Sequence, residues 1–140
     1  QRKKLERALA KAGSEFKDLQ SLAASKEMLE TLLSDIDLAK LELSDKVGNF
    51  AGMMHGGAIM TLADTAGSTC AFLNLPPNTV TTTTDSNTRF LRPISIGVAI
   101  ATARPLRVGR TSIVVEVEIH DQDGRLVAKT SMAQAVISTA

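Results

Sequence analysis

The sequence is poor in cysteine and in net charge, and it has no long hydrophobic run. Its one cysteine, Cys70, excludes an intrachain disulfide, favours a reducing compartment and lies in an apolar stretch typical of a buried filler. Sixteen Lys and Arg against fifteen Asp and Glu leave a formal charge of +1, so no overall field favours nucleic acid or an anionic membrane. No apolar segment approaches the ~20 residues of a membrane span, and the N-terminus has no cleavable hydrophobic core. We therefore expect a cytoplasmic protein.

The chain has the size and the apolar content of one ordinary domain, with 140 residues of which 44% are hydrophobic. Residues 2–23 carry apolar positions at three- and four-residue steps and predict an amphipathic helix, and a second short helix is predicted over 25–33. We assign residues 1–33 to an N-terminal helical extension and residues 34–140 to the main domain.

The N-terminal helix is basic and allows a different interpretation. Its first 24 residues hold six Lys or Arg and three acidic residues, with one aromatic. Such a helix could bind a membrane or nucleic acid, but a net charge of +3 favours neither strongly. Packing against the main sheet or a partner subunit is the alternative.

The rest of the sequence predicts an α+β domain. A half-buried strand over residues 36–43 precedes a loop over 44–55, and a mostly apolar helix over 56–73 would be ~27 Å long. Four strands rich in Val, Ile and Thr follow, over 80–91, 95–104, 111–121 and 126–137. Asp123-Gly124 predicts a tight hairpin between the last two strands, because this residue pair suits a turn with positive φ. One long helix beside a run of antiparallel strands predicts a sheet curled around that helix.

Four polar residues form a stripe on the long helix: Thr61, Asp64, Thr65 and Ser68. The stripe has two interpretations. It is either the solvent face of an amphipathic helix, or a weakly polar groove in which Asp64 holds a water, acts as a general base or attacks directly.

His55-Gly56-Gly57 begins the same helix. Two glycines at the positive end of a helix dipole let backbone N–H groups approach a ligand closely, and an oxyanion would be stabilised there. His55 itself fits a structural cap better than a base.

These residues carry a resemblance to a known family. Asn49, His55-Gly56-Gly57-Ala58 and Leu62-Ala63-Asp64-Thr65-Ala66 resemble the signature of hotdog-fold acyl-CoA thioesterases of the phenylacetate-degradation type, and the Arg89–Pro93 and Gly109–Thr111 segments resemble later landmarks. The resemblance covers roughly residues 36–138. It implies a hotdog fold, in which a curved antiparallel sheet wraps around a long central helix, here with an extra N-terminal helix.

The resemblance also implies a catalytic set and an assembly. Asn49 and the backbone N–H of Gly56 would polarise the thioester carbonyl, and Asp64 would activate water or attack. Thr83 would supply a hydroxyl that positions the water. Two subunits would pair edge to edge, as a homodimer or a homotetramer, with the active sites at the subunit interface.

Substrate contacts are expected around this set. The candidate binding residues are His55, Gly57, Thr65 and Ser68 beside the catalytic groups, Phe50 and Met54 as acyl-pocket liners, and Arg89, Arg92, Arg107 and Arg110 as a basic rim for the phosphates of CoA. No metal and no cofactor is expected, since coenzyme A is part of the substrate.

One departure from the family and two rival functions stay open. Family members usually place two strands before the HGG loop, whereas residues 34–44 offer one. A non-catalytic acyl-CoA-binding domain would keep the glycine-rich helix start but would not need Asn49 and Asp64. A hotdog hydratase or dehydratase would use a His and an acid for proton transfers at a β-carbon.

Overall fold

A computed structural model of the chain describes residues 39–139. One helix and five strands follow in the order β1 (Ala39–Glu42), α1 (Gly56–Phe72), β2 (Thr79–Phe90), β3 (Val98–Val108), β4 (Ser112–Asp121) and β5 (Leu126–Ser138). The predicted long helix and its four following strands are therefore confirmed. The predicted helices over 2–23 and 25–33, and the domain boundary after residue 33, lie outside the described residues.

The five strands form one antiparallel sheet in the order β1-β3-β4-β5-β2. Hairpins join β3 to β4 and β4 to β5. Their short turns are possible because both pairs of strands are antiparallel. Strand β2 lies on the far side of β5 and pairs with it along nearly its whole length. As a result β1 and β2 are the two edges, and β2 is an edge strand of 12 residues.

The core lies between α1 and the inner face of the sheet. Strand β4 shows the predicted alternation, with Ile113, Val115, Val117 and Ile119 all at 0% exposure. Burial of each such side chain contributes roughly 1.5–3 kcal/mol. The helix contacts all five strands, so the sheet curves around it as expected for a hotdog fold.

Close packing of α1 on the sheet depends on Gly67. A Cβ atom at this position would clash with the sulfur of Met132 and would lie 3.2 Å from Cγ2 of Val117. The absence of a side chain therefore lets the middle of the helix approach β4 and β5.

The β4–β5 hairpin has a different turn from the one predicted. Gly124 has a φ of 77°, but Asp123 does not take a positive φ. The Gly124 N–H donates to Asp121 O, and Oδ1 of Asp121 accepts from the N–H groups of Asp123 and Arg125. These contacts describe a turn closed by a single left-handed glycine, with an aspartate side chain holding the loop.

The bounds predicted for β3 were wrong. The expected strand over 95–104 is Val98–Val108, because Gly97 turns the chain at a φ of 80° before the strand begins. At its other end Pro105 does not stop the strand. The register shifts between Pro105 and Arg107, and a bulge is a place where a strand tolerates proline.

Between residue 39 and α1 the structure contains one strand, as the sequence predicted. Leu41 of this strand is half-buried, whereas Lys40 and Glu42 are exposed. The loop that follows holds an isolated bridge between Gly48 and Met54. No helix within residues 39–139 is long and apolar enough to cross a lipid bilayer.

Candidate active site

The polar stripe of α1 divides into two kinds of residue. The hydroxyls of Thr61 and Thr65 donate to the carbonyls of Gly57 and Thr61, at 2.9 and 2.8 Å, so their own helix satisfies them. Asp64 is exposed and Ser68 is half-buried, and both form hydrogen bonds to a residue of β2. The stripe is therefore in part a contact surface for the sheet edge, not only a solvent face.

Thr83 of β2 connects Asp64 to the interior. Its hydroxyl donates to Oδ1 of Asp64 at 2.8 Å and lies 3.3 Å from the hydroxyl of Ser68. The buried side chain of Gln134, directly opposite Thr83 on β5, donates from Nε2 to the same hydroxyl at 2.8 Å. The result is a chain of hydrogen bonds from a fully buried amide to an exposed carboxylate.

A β-bulge follows Thr83 on the edge strand. Thr83 pairs with Gln134 and Asp85 pairs with Ala133, so Thr84 is the extra residue. The Thr84 hydroxyl donates to the carbonyl of Ala133 at 3.2 Å. Bulges often lie beside functional sites because they redirect neighbouring side chains.

Within the described part of the chain, one backbone N–H at the start of α1 has no hydrogen-bond partner. His55 is the N-cap, and its Nδ1 accepts from the Gly57 N–H at 2.9 Å, while its carbonyl accepts from Ala58 and Ile59. Among the described residues no group accepts from the Gly56 N–H. Gly56 is thus the free donor at the positive end of the helix, whereas the Gly57 N–H, also expected at a ligand, is already bonded.

Gly56 also lies against an aromatic ring. A Cβ atom at Gly56 would lie 3.3 Å from Cζ of Phe90, which is the last residue of β2 and is 48% exposed. The ring and the helix start therefore form one surface at this end of the molecule.

Asn49 uses its side-chain oxygen to shape the loop before α1. Its Oδ1 accepts from the N–H groups of Ala51 and Met53 at 2.9 and 3.1 Å, and its own N–H donates to the carbonyl of Met53. Gly52 completes this loop with a φ of 74°. Within residues 39–139 no hydrogen bond uses the Nδ2 amide of Asn49, so two N–H donors remain available for a ligand.

The two expected acyl-pocket residues have opposite environments. Phe50 is fully exposed in the loop before α1. Met54 is 4% exposed in a single chain and belongs to the core, and its place in an acyl pocket at a subunit interface stays a prediction.

The arginines expected as one basic rim lie at opposite ends of the sheet. In the strand register, Arg89 lies opposite Lys129 near the β4–β5 hairpin. Arg110 lies in the β3–β4 turn, just before Ser112, which lies opposite Ala135. The six residue steps of β5 from Lys129 to Ala135 span about 20 Å. Arg92 is exposed near Arg89 and donates to the carbonyl of Leu126, so a single chain does not assemble the rim.

Sequence reasoning missed Gln134. This side chain is 0% exposed and forms hydrogen bonds to residues of both α1 and β2. A signal was present, because Gln134 continues the inward positions of Thr130 and Met132 with a large polar residue. Only the pairing of β5 with β2 shows which residues it contacts.

Neither a metal site nor a nucleophilic cysteine is found in the part of the chain that the structure describes. No three His, Cys, Asp or Glu side chains there lie close enough to hold a metal ion. Burial raises the pKa of the Cys70 thiol, which keeps it protonated and unreactive.

Comparisons with known proteins point to one family. The chain is 34% identical over 86 residues to the proofreading thioesterase EntH of Klebsiella pneumoniae, a match that covers 61% of this chain and 63% of that protein. The chain spans about three fifths of the length of the curated relatives it matches.

Solved structures with the same fold include a thioesterase and two proteins that contain CoA or acetyl CoA. A thioesterase from Haemophilus influenzae matches with a TM-score of 0.69 and 27% identity, over 71% of this chain and 70% of that one. A Bacillus halodurans protein solved with CoA matches with a TM-score of 0.67 and 28% identity, over 70% and 69% of the two chains. A Streptococcus mutans protein bound to acetyl CoA matches with a TM-score of 0.62 and 28% identity, over 71% and 78%.

The family model of the thioesterase superfamily matches residues 51–128, which include α1 with its polar stripe, β2, β3, β4 and the start of β5. This region is more than half of the chain and holds Gly56, Asp64 and Thr83. The hotdog architecture, the motif at the start of α1 and this match agree, and the chain belongs to the thioesterase superfamily.

Proposed function

We propose that this protein hydrolyses an acyl-CoA thioester to a free acid and CoA, with Asp64 as the reacting carboxylate. The observation that carries the proposal is the 2.8 Å hydrogen bond from the Thr83 hydroxyl to Oδ1 of Asp64. This bond orients an exposed carboxylate, and no residue within 39–139 hydrogen-bonds its Oδ2. Oδ2 is therefore available to a water molecule or a substrate carbon.

The chemistry requires a base and oxyanion donors. With Asp64 as base, Oδ2 takes a proton from water as the water oxygen bonds to the thioester carbon, and the carbonyl oxygen becomes an oxyanion. The C–S bond then breaks, and the CoA thiolate takes the proton back from Asp64. With Asp64 as nucleophile, its Oδ2 bonds to the thioester carbon, the C–S bond breaks and CoA leaves as the thiolate, which gives a mixed anhydride. Water then hydrolyses the anhydride to the free acid and the Asp64 carboxylate, and the released proton goes to the CoA thiolate. The Gly56 N–H and Nδ2 of Asn49 are the free donors proposed for the oxyanion.

One subunit cannot bring these groups to the same carbonyl. Gly56 and Asp64 are eight residues apart on a continuous helix, which separates them by about 12 Å along its axis. A base and an oxyanion donor must both lie within ~3 Å of the reacting group. We therefore propose that Asp64 of one copy acts with Asn49 and Gly56 of a second copy.

Within residues 39–139 no strand pairs with the outer edge of β2, so this edge offers a way to pair the two copies. A long unpaired edge strand is a template for another strand, and an antiparallel β2–β2 pairing would satisfy its backbone groups. Gly56 lies against Phe90, and Asp64 is bonded to Thr83. A two-fold axis near Ser86 would set Phe90 of the second copy opposite Thr83, and would bring the second helix start toward Asp64. This geometry supports a homodimer, or a homotetramer built from two such dimers.

The proposed substrate is an acyl-CoA thioester because one solved relative contains CoA and another contains acetyl CoA. CoA is then part of the substrate, and the proposed chemistry needs no separate cofactor or metal. Arg89 and Arg92 at one end of the sheet and Arg110 at the other would flank different parts of a paired β2 interface, where they could contact the CoA phosphates. We also propose that the protein belongs to the phenylacetate-degradation subfamily and that it is cytoplasmic.

The test is thiol release from a panel of acyl-CoAs, from short to long aliphatic and aryl, by wild type and Asp64→Asn. The variant keeps an oxygen for the Thr83 hydroxyl but removes the basic carboxylate. We expect turnover of at least one substrate by wild type and a loss of roughly 10²- to 10⁴-fold in the variant. A wild-type protein that binds acyl-CoA without releasing thiol would instead be a binding domain. Addition of water across a double bond of an enoyl-CoA would support a hydratase.

A further inference from the structure

Gln134 is a polar side chain where the sheet packs under α1. It is 0% exposed, and the residues beside it on the inner face of β5 include Met132, which is 1% exposed. A primary amide in such a place needs hydrogen-bond partners, because desolvating it without them is unfavourable. Its partners therefore show why a glutamine is present.

Those partners lie on two other elements, α1 and β2. Nε2 of Gln134 donates to the hydroxyl of Thr83 at 2.8 Å and lies 3.3 Å from the hydroxyl of Ser68. Its Oε1 lies 3.2 Å from the hydroxyl of Thr81, which also donates to the carbonyl of Ala135 at 2.9 Å. The amide thus joins β5 to the edge strand β2 and to the stripe on α1.

The direction of these hydrogen bonds determines the direction of the Thr83 proton. A hydroxyl has one proton to donate and lone pairs that accept. Because the Gln134 N–H occupies an accepting site of Thr83, the Thr83 proton is directed to Asp64, where it makes the 2.8 Å bond. An acceptor at position 134 would compete with Asp64 for that proton.

We propose that Gln134 is a positioning residue for the reaction, which acts through Thr83 and fixes the hydrogen bond that orients Asp64. This inference rests on the proposed thioesterase function and adds a residue that does not touch the substrate. The chain of bonds runs from a buried amide through a half-buried hydroxyl to an exposed carboxylate. The sheet thereby fixes the orientation of the Asp64 carboxylate on the helix.

A neighbouring residue provides a matched control. Thr130 lies on the same inner face of β5, is also 0% exposed, and pairs with the hydroxyl of Thr88 at 2.8 Å. It forms no hydrogen bond to Asp64, Thr83 or Ser68. Removal of its hydroxyl disturbs a buried polar pair of similar kind without affecting Asp64.

The experiment compares Gln134→Met, of similar length but without the donor, with Thr130→Val. For each variant, the melting temperature, kcat and KM for thiol release, and a crystal structure are measured. We expect Gln134→Met to lower kcat about 10- to 100-fold with KM nearly unchanged, and to leave the Thr83 side chain displaced from Asp64. Thr130→Val should keep both kcat and the Thr83 contact. In a Thr83→Val background, Gln134→Met should cause no further loss of kcat, because its effect passes through the missing hydroxyl.

Three results would overturn the inference. These are an unchanged kcat in folded Gln134→Met, a fall in kcat while the Thr83–Asp64 bond stays intact, or independent losses in the double variant. A wild type that releases no thiol would contradict the proposed function instead. In that case the crystal structure of Gln134→Met still decides whether Gln134 holds Thr83 against Asp64.

Discussion

The hydroxyl of Thr83 donates to the carboxylate of Asp64 across 19 positions of sequence, from the edge strand of the sheet to the exposed side of the helix. The bond is 2.8 Å long, and a hydrogen bond to a charged acceptor is stronger than one between neutral groups. It joins the proposed reacting group to the strand that we expect to form the subunit interface. Loss of this bond should therefore affect catalysis more than folding.

Substitution of Thr83 tests the bond directly. Thr83→Val keeps the shape of the side chain and removes the hydroxyl that donates to Asp64, so we expect kcat to fall by about 10- to 100-fold. Thr83→Ser keeps the hydroxyl and should stay within a few-fold of wild type. Thiol-release kinetics on both variants make the comparison. Equal activity of Thr83→Val and wild type would show that the hydroxyl has no part in the reaction.

Substitutions of Asn49 distinguish its two roles, because Oδ1 holds the loop and Nδ2 is the proposed oxyanion donor. Asn49→Asp keeps an oxygen for the N–H groups of Ala51 and Met53 but replaces the free amide by an acceptor. We expect its melting temperature to stay near that of wild type while kcat falls roughly 10²- to 10³-fold, the usual cost of a lost oxyanion donor.

Asn49→Ala is the matched comparison for the loop. It loses both contacts of Oδ1, so we expect a lower melting temperature as well as lost activity. If Asn49→Asp instead retained wild-type kcat, Asn49 would be a loop-forming residue only.

A site shared between two copies predicts complementation. Asp64→Asn and Asn49→Asp should each be nearly inactive alone, but a refolded equimolar mixture should recover roughly a quarter of wild-type activity, because half of the dimers are mixed and each holds one intact site. Sedimentation in parallel reports whether the mixture is dimeric. A dimeric mixture without recovered activity would place all catalytic groups in one subunit.

The packing of α1 on the sheet predicts a stability change at Gly67. Gly67→Ala would bring a methyl group against the sulfur of Met132 and within 3.2 Å of Val117, so we expect the free energy of unfolding to fall by about 1–3 kcal/mol. Denaturant unfolding measures it. Adding Met132→Val, which shortens the opposing side chain, should recover part of the loss. A stabilised Gly67→Ala protein would mean that the higher helix propensity of alanine outweighs the clash.

Glu116, on the outer face of the sheet, should make a pH-dependent contribution to the stability of the protein. Hydrogen bonds from Arg104 and then Lys129 hold the pKa of the Glu116 carboxyl below its ordinary value of 4.5. A carboxyl with a lowered pKa in the folded state stabilises the protein above its unfolded pKa, and the effect is lost as the pH falls through the folded value.

Glu116→Gln should therefore be less stable than wild type at neutral pH, and the difference should close as the pH is lowered below about 4.5. High salt should reduce the difference at neutral pH, since the side chains of Arg104 and Lys129 are 65% and 42% exposed. Thermal melts from pH 3 to 7 test this. A stability difference of the same size at both ends of that range would exclude the ion pairs as its cause.

Much of the fold could be predicted from local patterns. The alternation of Ile113, Val115 and Val117 predicted a strand with one buried face, and the long apolar segment predicted α1. The position of the turn after β4 was predicted correctly, but its type was not. The turn is held by the side chain of Asp121, and the tertiary structure determines where that side chain points. The end of β3 was missed because the bulge beside Pro105 depends on the pairing with β4.

The sequence by itself predicted the long helix and the strands, because hydrophobic period is a local property of a chain. The resemblance of its motifs to a known family added the hotdog fold, the thioesterase family and the candidate residues Asn49, Gly56 and Asp64. Only the tertiary structure decided which groups around them stay free and which are bonded. The contact of Gln134 with Thr83 joins positions 51 residues apart, and it exists because antiparallel pairing of β2 and β5 sets them opposite each other. The 12 Å of helix between Gly56 and Asp64 likewise makes a second copy part of the proposed site, since no side chain can span that distance to a shared carbonyl.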